Sequence, residues 1–355
     1  MLSPRTELIL QSIVRQYVTR AEPVSSALIL EDCSLDVCSA TIRNEVARLE
    51  QEGYILRPHH AAGSIPSDMG YRYYVEHSQF AGLSREECLT INHLFHQVER
   101  ELGEWLKLSA SLIARKTKNV ALVSSPKSSA YKLHHVEIVS LQGDMALVVV
   151  ILRGAKVKQQ LINFSCVLSS EELSHMSNRL SHLFDGKTKE AIKYIDENFN
   201  ENESLVVDTV IKMMRAEDEK NNEDPFLDGM QFMLKQPEFS RTAHLTEDLM
   251  GMVEDKTISK AIEIPGSHDG IKITIGNENR EKAVQNFSII TSSYGVEGEA
   301  AGTISVIGPT RMEYNKAVST IRYLSLVMSK LVNELYGYNN NDLSVNTQYR
   351  KEDIT

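Results

Sequence analysis

Residues 39–68 read SATIRNEVARLEQEGYILRPHHAAGSIPSD. Placed on a helical wheel, the first thirteen residues divide cleanly. Ile42, Val46 and Leu49 share one face and call for a hydrophobic partner. Glu45 and Glu52 flank that face. Ala40, Asn44 and Ala47 lie opposite it, with Arg43 and Arg48 at the edges and Thr41 beside Arg48. Ser39 has the chemistry of a helix cap, and Gly53 that of a helix stop. Tyr54, Ile55 and Leu56 then make a brief strand. The segment RPHHAAGSIP, residues 57–66, is a turn bounded by proline, in which Gly63 permits a tight bend.

Upstream, RTELILQSIVRQYV places Leu8, Ile9, Ser12, Ile13, Val14 and Tyr17 near a 3.6-residue period, and Ser3-Pro4 opens that helix. Pro23 interrupts it, and SSALILED gives a second short helix. Three short helices, a strand and a Gly/Pro-bounded turn are the order of a winged helix-turn-helix over residues 1–80. The outward face of the third helix suits a DNA major groove. Small side chains allow close approach, an amide pairs with adenine, and guanidinium groups pair with guanine. Its amino terminus offers free N–H groups to a phosphate.

Downstream, Ser84 and Glu87 form a capping box opening a long helix through about residue 118. Its seam of Cys88, Ile91, Phe95, Val98, Leu102, Trp105, Ser109 and Leu112 is heptad-like; it faces a core or contributes to a dimer contact. HHVEIVSL, DMALVVVIL and KVKQQLINF are strands, turning at Gln142-Gly143-Asp144 and Arg153-Gly154. A capping box of Ser169 and Glu172 starts a helical block running to about residue 260, broken by an exposed loop at AEDEKNNEDP, 216–225. Strands return at IKITIG, NFSIITSSY and GEAAGTISVIG. In GPTRMEY, Gly308-Pro309 ends a strand, and Thr310 and Glu313 read as a third capping box; the alternative for Arg311 and Tyr314 is a ligand or partner contact. Strands at 120–164 and 270–308 thus bracket a mainly helical block, as in one α+β domain split by an insertion.

The net charge of −10 argues against a protein that coats nucleic acid without specificity. Residues 1–80 carry seven arginines, no lysine and ten carboxylates, so any DNA contact there is local and arginine-based. The four cysteines are scattered, as in a reducing cytoplasm. The longest apolar run, Met145 to Leu152, is a buried strand rather than a membrane span. MLSPRTELIL lacks the features of a secretion signal. Cys33, Cys38, His59 and His60 have loose spacing for zinc, and His93 and His96 read as surface histidines, so no metal is expected. No nucleophile elbow, phosphate loop or dinucleotide fingerprint is present. The chain therefore reads as no enzyme and as needing no cofactor; the competing class is a cytosolic enzyme with a helical accessory domain.

SATIRNEVARLEQEGYI, PHHAAGSIPSDMGYRYYVE, EPVSS, ITIGNEN and IGPTRMEY together resemble the HrcA family of heat-inducible transcription repressors. The resemblance implies a winged-helix domain at 1–80 and a linker helix with the first part of a GAF-like domain at 81–165. It further implies an inserted dimerising domain at 166–262, the second part of the GAF-like domain at 263–338, and a flexible tail at 339–355. It implies a cytoplasmic homodimer that binds an inverted repeat in double-stranded DNA upstream of chaperone operons, supported by a GroEL-type chaperonin. The family's recognition positions fall on Ser39, Thr41, Arg43 and Asn44. Arg48, Arg57, His59, His60, Ser64 and Arg72 complete the candidate contacts. The family usually has glycine where Ser25 stands and a wing arginine where Ser64 stands, so the arginine's role is expected to pass to Arg57, His60 or Arg72. The alternative control is a small-molecule effector in the GAF-like domain.

Overall fold

A computed structural model of the chain describes residues 2–33, 39–58, 62–127, 130–154, 156–219, 224–241, 243–254, 262, 270–296 and 300–336. The expected tail at 339–355 lies outside the described residues. The first elements are helices Pro4–Arg20 (α1), Ser26–Cys33 (α2) and Ser39–Gln51 (α3), hairpin strands Ile55–Leu56 (β1) and Ile65–Pro66 (β2), and helix Asp68–His77 (α4). Ser3 accepts the Thr6 N–H at 3.2 Å, with Pro4 in the first turn, as its sequence signals. Ser39 is the first helical residue of α3 rather than its cap. The helix ends at Gly53, whose φ of +83° lets Tyr54 N–H reach the Leu49 carbonyl at 2.9 Å.

β1 pairs antiparallel with β2, Ile55 opposite Pro66 and Leu56 opposite Ile65. Beyond this hairpin base, Ser64 exchanges two backbone bonds with Val24, at 2.7 and 2.9 Å. Gly63 serves this clip. A Cβ there would lie 2.6 Å from the backbone of Pro23 and Val24, while its φ is not left-handed. Its hydrogen is needed for close approach, not for the tight turn that the sequence suggests.

The expected single helix over 84–118 is two helices, Arg85–Gln97 (α5) and Leu102–Thr117 (α6). Val98 is extended, with φ −85° and ψ 156°, and the chain doubles back. Lys116 Nζ at the end of α6 lies 2.5 Å from Glu87 Oε1 at the start of α5. A heptad-like seam has the same spacing whether its helix continues or folds back, which is why the break escaped the pattern. Glu87 also completes the expected capping box with Ser84.

Strand Val120–Val123 (β3) lies inside a five-stranded sheet. Its other strands are Phe226–Asp228 (β7), Ile271–Ile275 (β8), Phe287–Val296 (β9) and Ala300–Pro309 (β10). The order is β7-β3-β10-β9-β8. β3 pairs antiparallel with both β10 and β7. One face carries Val120, Leu122, Phe287, Ile289 and Ile307. It packs against helices Met230–Met233 (α10), Pro237–Arg241 (α11) and Ala243–Glu254 (α12) through Met233, Phe239, Leu249 and Met252. α6 packs on β3. The last helix is Tyr314–Tyr336 (α13). It begins a turn after Thr310, so the expected Thr310–Glu313 capping box does not open it.

Strands Leu133–Ser140 (β4), Met145–Leu152 (β5) and Lys156–Asn163 (β6) form a separate antiparallel sheet, not an extension of the first. With β3 flanked on both sides, β4 has no edge of β3 to join. Helices Ser170–Phe184 (α7), Lys189–Lys193 (α8) and Glu201–Glu219 (α9) complete this group, and α7 starts with the expected Ser169–Glu172 capping box. Ser181 and Ser177 on α7 accept the Val136 and Ile138 N–H groups, each at 2.9 Å, which closes the β4 edge. Val148, Val150, Leu180, Phe184, Val206 and Val210 are buried in its core.

The chain thus forms two compact units. One comprises Met1–Ser124, Pro225–Ser293 and Thr303–Ser325. The other comprises Ser125–Asp224, Tyr294–Gly302 and α13 from Leu326. Ser125–Asp224 thus group together, so β4 to β6 fall with α7 to α9, while α10 to α12 pack on the five-stranded sheet. β7 and the last residues of α9 occupy sequence read as the 216–225 loop and its helical surroundings. Among the described residues, no helix is long and apolar enough to cross a membrane.

Gly63→Ala is expected to destabilise the protein by about 1–3 kcal/mol in denaturant unfolding, because its methyl group meets backbone rather than a movable side chain. Glu87, drawn down to about pKa 2 by its bonds to Lys116 and the Ser84 N–H, gives an acid-side signature. A depressed carboxylate contributes stability above its ordinary value near 4.5, and that contribution disappears as pH falls toward 2. Glu87→Gln should therefore flatten stability against pH in that window, measured by denaturant midpoints, while Glu86→Gln should leave the slope in place.

Candidate nucleic-acid interface

The inner face of α3 is closed. Ile42, Val46 and Leu49 are at most 1% exposed, among Ile9, Leu10, Ile13 and Val14 of α1 and Ile29 of α2. Two polar contacts fix the packing. Buried Thr6 donates to Glu45 Oε2 at 2.8 Å, tying the flank of α3 to α1. Buried Ser12 donates to Asp32 Oδ2 at 2.6 Å, with Arg15 Nη2 at 3.1 Å from the same oxygen, which ties α1 to α2. The Ser12 bond leads the causes that hold the Asp32 carboxyl below its usual range.

The opposite face is open. Ser39, Ala40, Arg43, Asn44, Ala47 and Arg48 are exposed, and Thr41 is half-buried. Among the described residues, Arg43 and Asn44 make no side-chain hydrogen bond or ion pair. Arg48 Nε is held by Glu52 Oε1 at 2.7 Å, an exposed pair that a competing phosphate can replace at small cost. The acidic side chains Glu45, Glu50 and Glu52 fall from the middle of α3 to just past its end. Its first half offers a cation, an amide and the positive end of the helix dipole.

Arg57 follows β1 and lies 3.2 Å from Glu50 Oε2, which draws the start of the wing to α3. His59 and His60 lie outside the described residues.

Two candidate contacts are corrected. Ser64 is 2% exposed and locked by the Val24 clip, so its side chain is withdrawn from the surface. A guanidinium there would begin from a buried Cβ. Arg72 is on α4, where it donates to both carboxylate oxygens of Glu278 and to the Ile273 carbonyl at 2.7 Å. Glu278 leads the causes that raise its pKa. Of the arginines expected to take the wing-arginine role, Arg72 is thus engaged with the turn after β8 and Arg57 with Glu50.

GPTRMEY makes internal contacts, although not through the Thr310–Glu313 capping box its residues indicated. Tyr314 OH donates to the Thr310 carbonyl at 2.7 Å and lies 2.8 Å from Ser288 Oγ. Arg311 pairs with Glu238 and donates to the Val18 carbonyl in the last turn of α1. Sequence reasoning missed that last contact; the only signal was a cation just past a strand end.

A family model described as "HrcA protein C terminal domain" matches residues 103–318. A heat-inducible transcription repressor HrcA from Dehalococcoides mccartyi is 54% identical, over 95% of this chain and 98% of its own length. One from Roseiflexus castenholzii is 34% identical, over 95% and 96%. A solved crystal structure of a hypothetical protein shares the fold, with a TM-score of 0.60 at 24% identity over 94% of this chain and 98% of that one. On this extent of likeness, the chain belongs to the HrcA family of heat-inducible transcription repressors.

Proposed function

We propose that the protein represses chaperone operons by binding an inverted-repeat operator in double-stranded DNA as a cytoplasmic homodimer. The observation that carries this reading is the uncommitted Arg43–Asn44 pair. It stands between small Ala40 and Ala47, directly behind the buried seam of Ile42, Val46 and Leu49. In the proposal the first half of α3 enters the major groove. Asn44 and Arg43 read base edges, and Ser39 and Thr41 meet a phosphate at the helix start. Arg48 and Arg57 exchange their carboxylate partners for phosphates, and His59 and His60 belong to the wing.

The dimer is assigned to the inserted unit. On its three-stranded sheet, the face away from α7 and α9 carries apolar rows across the strands. Val139 pairs with Leu147 and Leu147 with Leu161; Ile151 pairs with Val157. Val139, Leu161 and Val157 are 43%, 56% and 58% exposed, a surface that a second copy would cover. A two-fold dimer matches an inverted repeat. Modulation by a GroEL-type chaperonin completes the proposal on family grounds. This family is one of transcription repressors, not of enzymes.

Gel shifts on the inverted repeat test the recognition surface. Asn44→Ala should weaken binding by about 1–3 kcal/mol and relax discrimination at one base pair. If Asn44→Ala and Arg43→Ala both leave binding unchanged, α3 is not the reading helix. Arg57→Ala should weaken binding about equally on all sequences and lower the slope of log affinity against log salt by about one. Val157→Glu together with Leu161→Glu should convert the dimer to monomer in sedimentation equilibrium; persistence of the dimer would move the interface elsewhere.

A further inference from the structure

Two motifs far from α3 remain without a role in DNA reading, ITIGNEN and IGPTRMEY. Both hold the winged-helix segment from outside. Asp68 and Arg72 are one turn apart on α4 and face the turn after β8. The Asp68 carboxylate accepts the Asn277 backbone N–H at 3.0 Å and the Asn277 side-chain amide at 2.9 Å. Arg72 engages Glu278 through both carboxylate oxygens and also reaches the Ile273 carbonyl.

The receiving turn is built by its own side chains. Glu278 Oε2 also accepts the Ile275 N–H at 2.8 Å. Buried Asn279 donates to the carbonyls of Gly276, Val284 and Phe287 at 2.9, 3.1 and 2.8 Å. Gly276 is left-handed, at φ +53°, and a Cβ there would lie 2.2 Å from Asp68 Oδ2. The turn therefore leaves a seat for the Asp68 carboxylate.

A second attachment runs the other way. Arg311, its charge met by Glu238, reaches out to the Val18 carbonyl at the end of α1. Between the two attachments Tyr71 is buried, its ring 6.0 Å from that of Tyr314.

An apolar contact alone tolerates sliding. A bidentate guanidinium–carboxylate pair and a two-point carboxylate–amide contact do not, because each fixes direction as well as distance. Attached at α4 and at the end of α1, the three-helix segment has its rotation set, and with it the axis of α3. None of the residues involved lies on the open face of α3.

We propose that Asp68, Arg72 and Arg311 are positioning residues: with Asn277, Glu278 and Glu238 they clamp the winged helix at one angle to the five-stranded sheet. That angle sets the separation of the two recognition helices in a dimer, and so the half-site spacing that the repressor accepts. The proposal rests on the DNA-reading role of α3. It assigns ITIGNEN and IGPTRMEY to operator geometry rather than to ligand binding.

The test uses the full-length protein on two DNA probes, the whole inverted repeat and a duplex carrying one half-site. Glu278→Gln keeps the size of the side chain and removes the charge pair. Arg72→Glu with Glu278→Arg restores it in reverse. The expected result is a tenfold or greater loss of affinity for the whole repeat in Glu278→Gln, with half-site affinity unchanged within twofold. The reversed pair should recover part of the loss, and Arg311→Ala should repeat the split. In the same samples, amide hydrogen exchange should quicken in residues 68–77 and 273–278 while β9 and β10 stay protected.

Equal loss on both probes, or no loss on the whole repeat, overturns the clamp. Tighter half-site binding by Glu278→Gln also overturns it, since Arg72 would then be a DNA contact that Glu278 restrains. Failure of the underlying reading looks different: the unaltered protein would discriminate neither probe, or Asn44→Ala would leave half-site binding intact. Unquickened exchange in 68–77 would sink the clamp even then.

Discussion

The burial of Ile42, Val46 and Leu49 is the constraint on which the rest of the interface depends. Each contributes about 1.5–3 kcal/mol when removed from water, and all three lie on one face of a helix only thirteen residues long. Turning α3 by one residue would expose one of them and bury Arg43 or Asn44 without a partner. The outward set is therefore a consequence of the inward set. Glu45 sharpens the choice, because its carboxylate accepts a hydrogen bond from the Thr6 hydroxyl on α1. Local helix propensity has little part in this. Ser39, Thr41 and Asn44 are indifferent helix formers, and packing compensates for them.

What could be read from the chain follows the range of the interactions involved. The start of α1 and the boxes at Ser84–Glu87 and Ser169–Glu172 are contacts between residues three apart, so the sequence contains the whole event. The open face of α3 was legible for a similar reason: a wheel needs only periodicity. The burial of Ser64 was hidden because it depends on Val24, forty residues earlier. The partners of Arg72 were hidden because they lie some two hundred residues later, and an arginine with no local partner looks like a phosphate contact. The division into two sheets was hidden in the same way. β3 and β4 are both plausible strands, and nothing in either says that β3 already has two neighbours.

The segment after β1 shows how a backbone contact can settle the place of a small side chain. At the position where the resemblance led one to expect an arginine, Ser64 is a small hydroxyl residue whose backbone closes a bridge to Val24. Nearby cations are already engaged: Arg57 with Glu50 at the start of the wing, and Arg48 with Glu52 on α3. Exposed pairs of this kind are worth little, so they keep long side chains near the surface without committing them. In the proposed reading, the positive charge this region offers DNA comes from arginines that now pair with carboxylates.

The place where the inserted unit leaves the five-stranded sheet carries a further consequence. Val123 ends β3 and Phe226 begins β7, and the two residues are register partners. In topological terms β3 and β7 are a hairpin whose loop, about a hundred residues long, is the larger part of the second unit. An unstructured loop of that length would close slowly and at a considerable entropic cost, since closure entropy grows with the logarithm of loop length. A loop that has folded first presents its two ends as one preformed turn. The sheet edge that completes the α10–α12 side thus waits on the insertion, and synthesis delivers the two in that order, with β4 to α9 made before β7 exists. An insertion that folds late would leave the outer edge of β3 unpaired, and the first sign of its failure would be an edge-to-edge aggregate rather than a lost function.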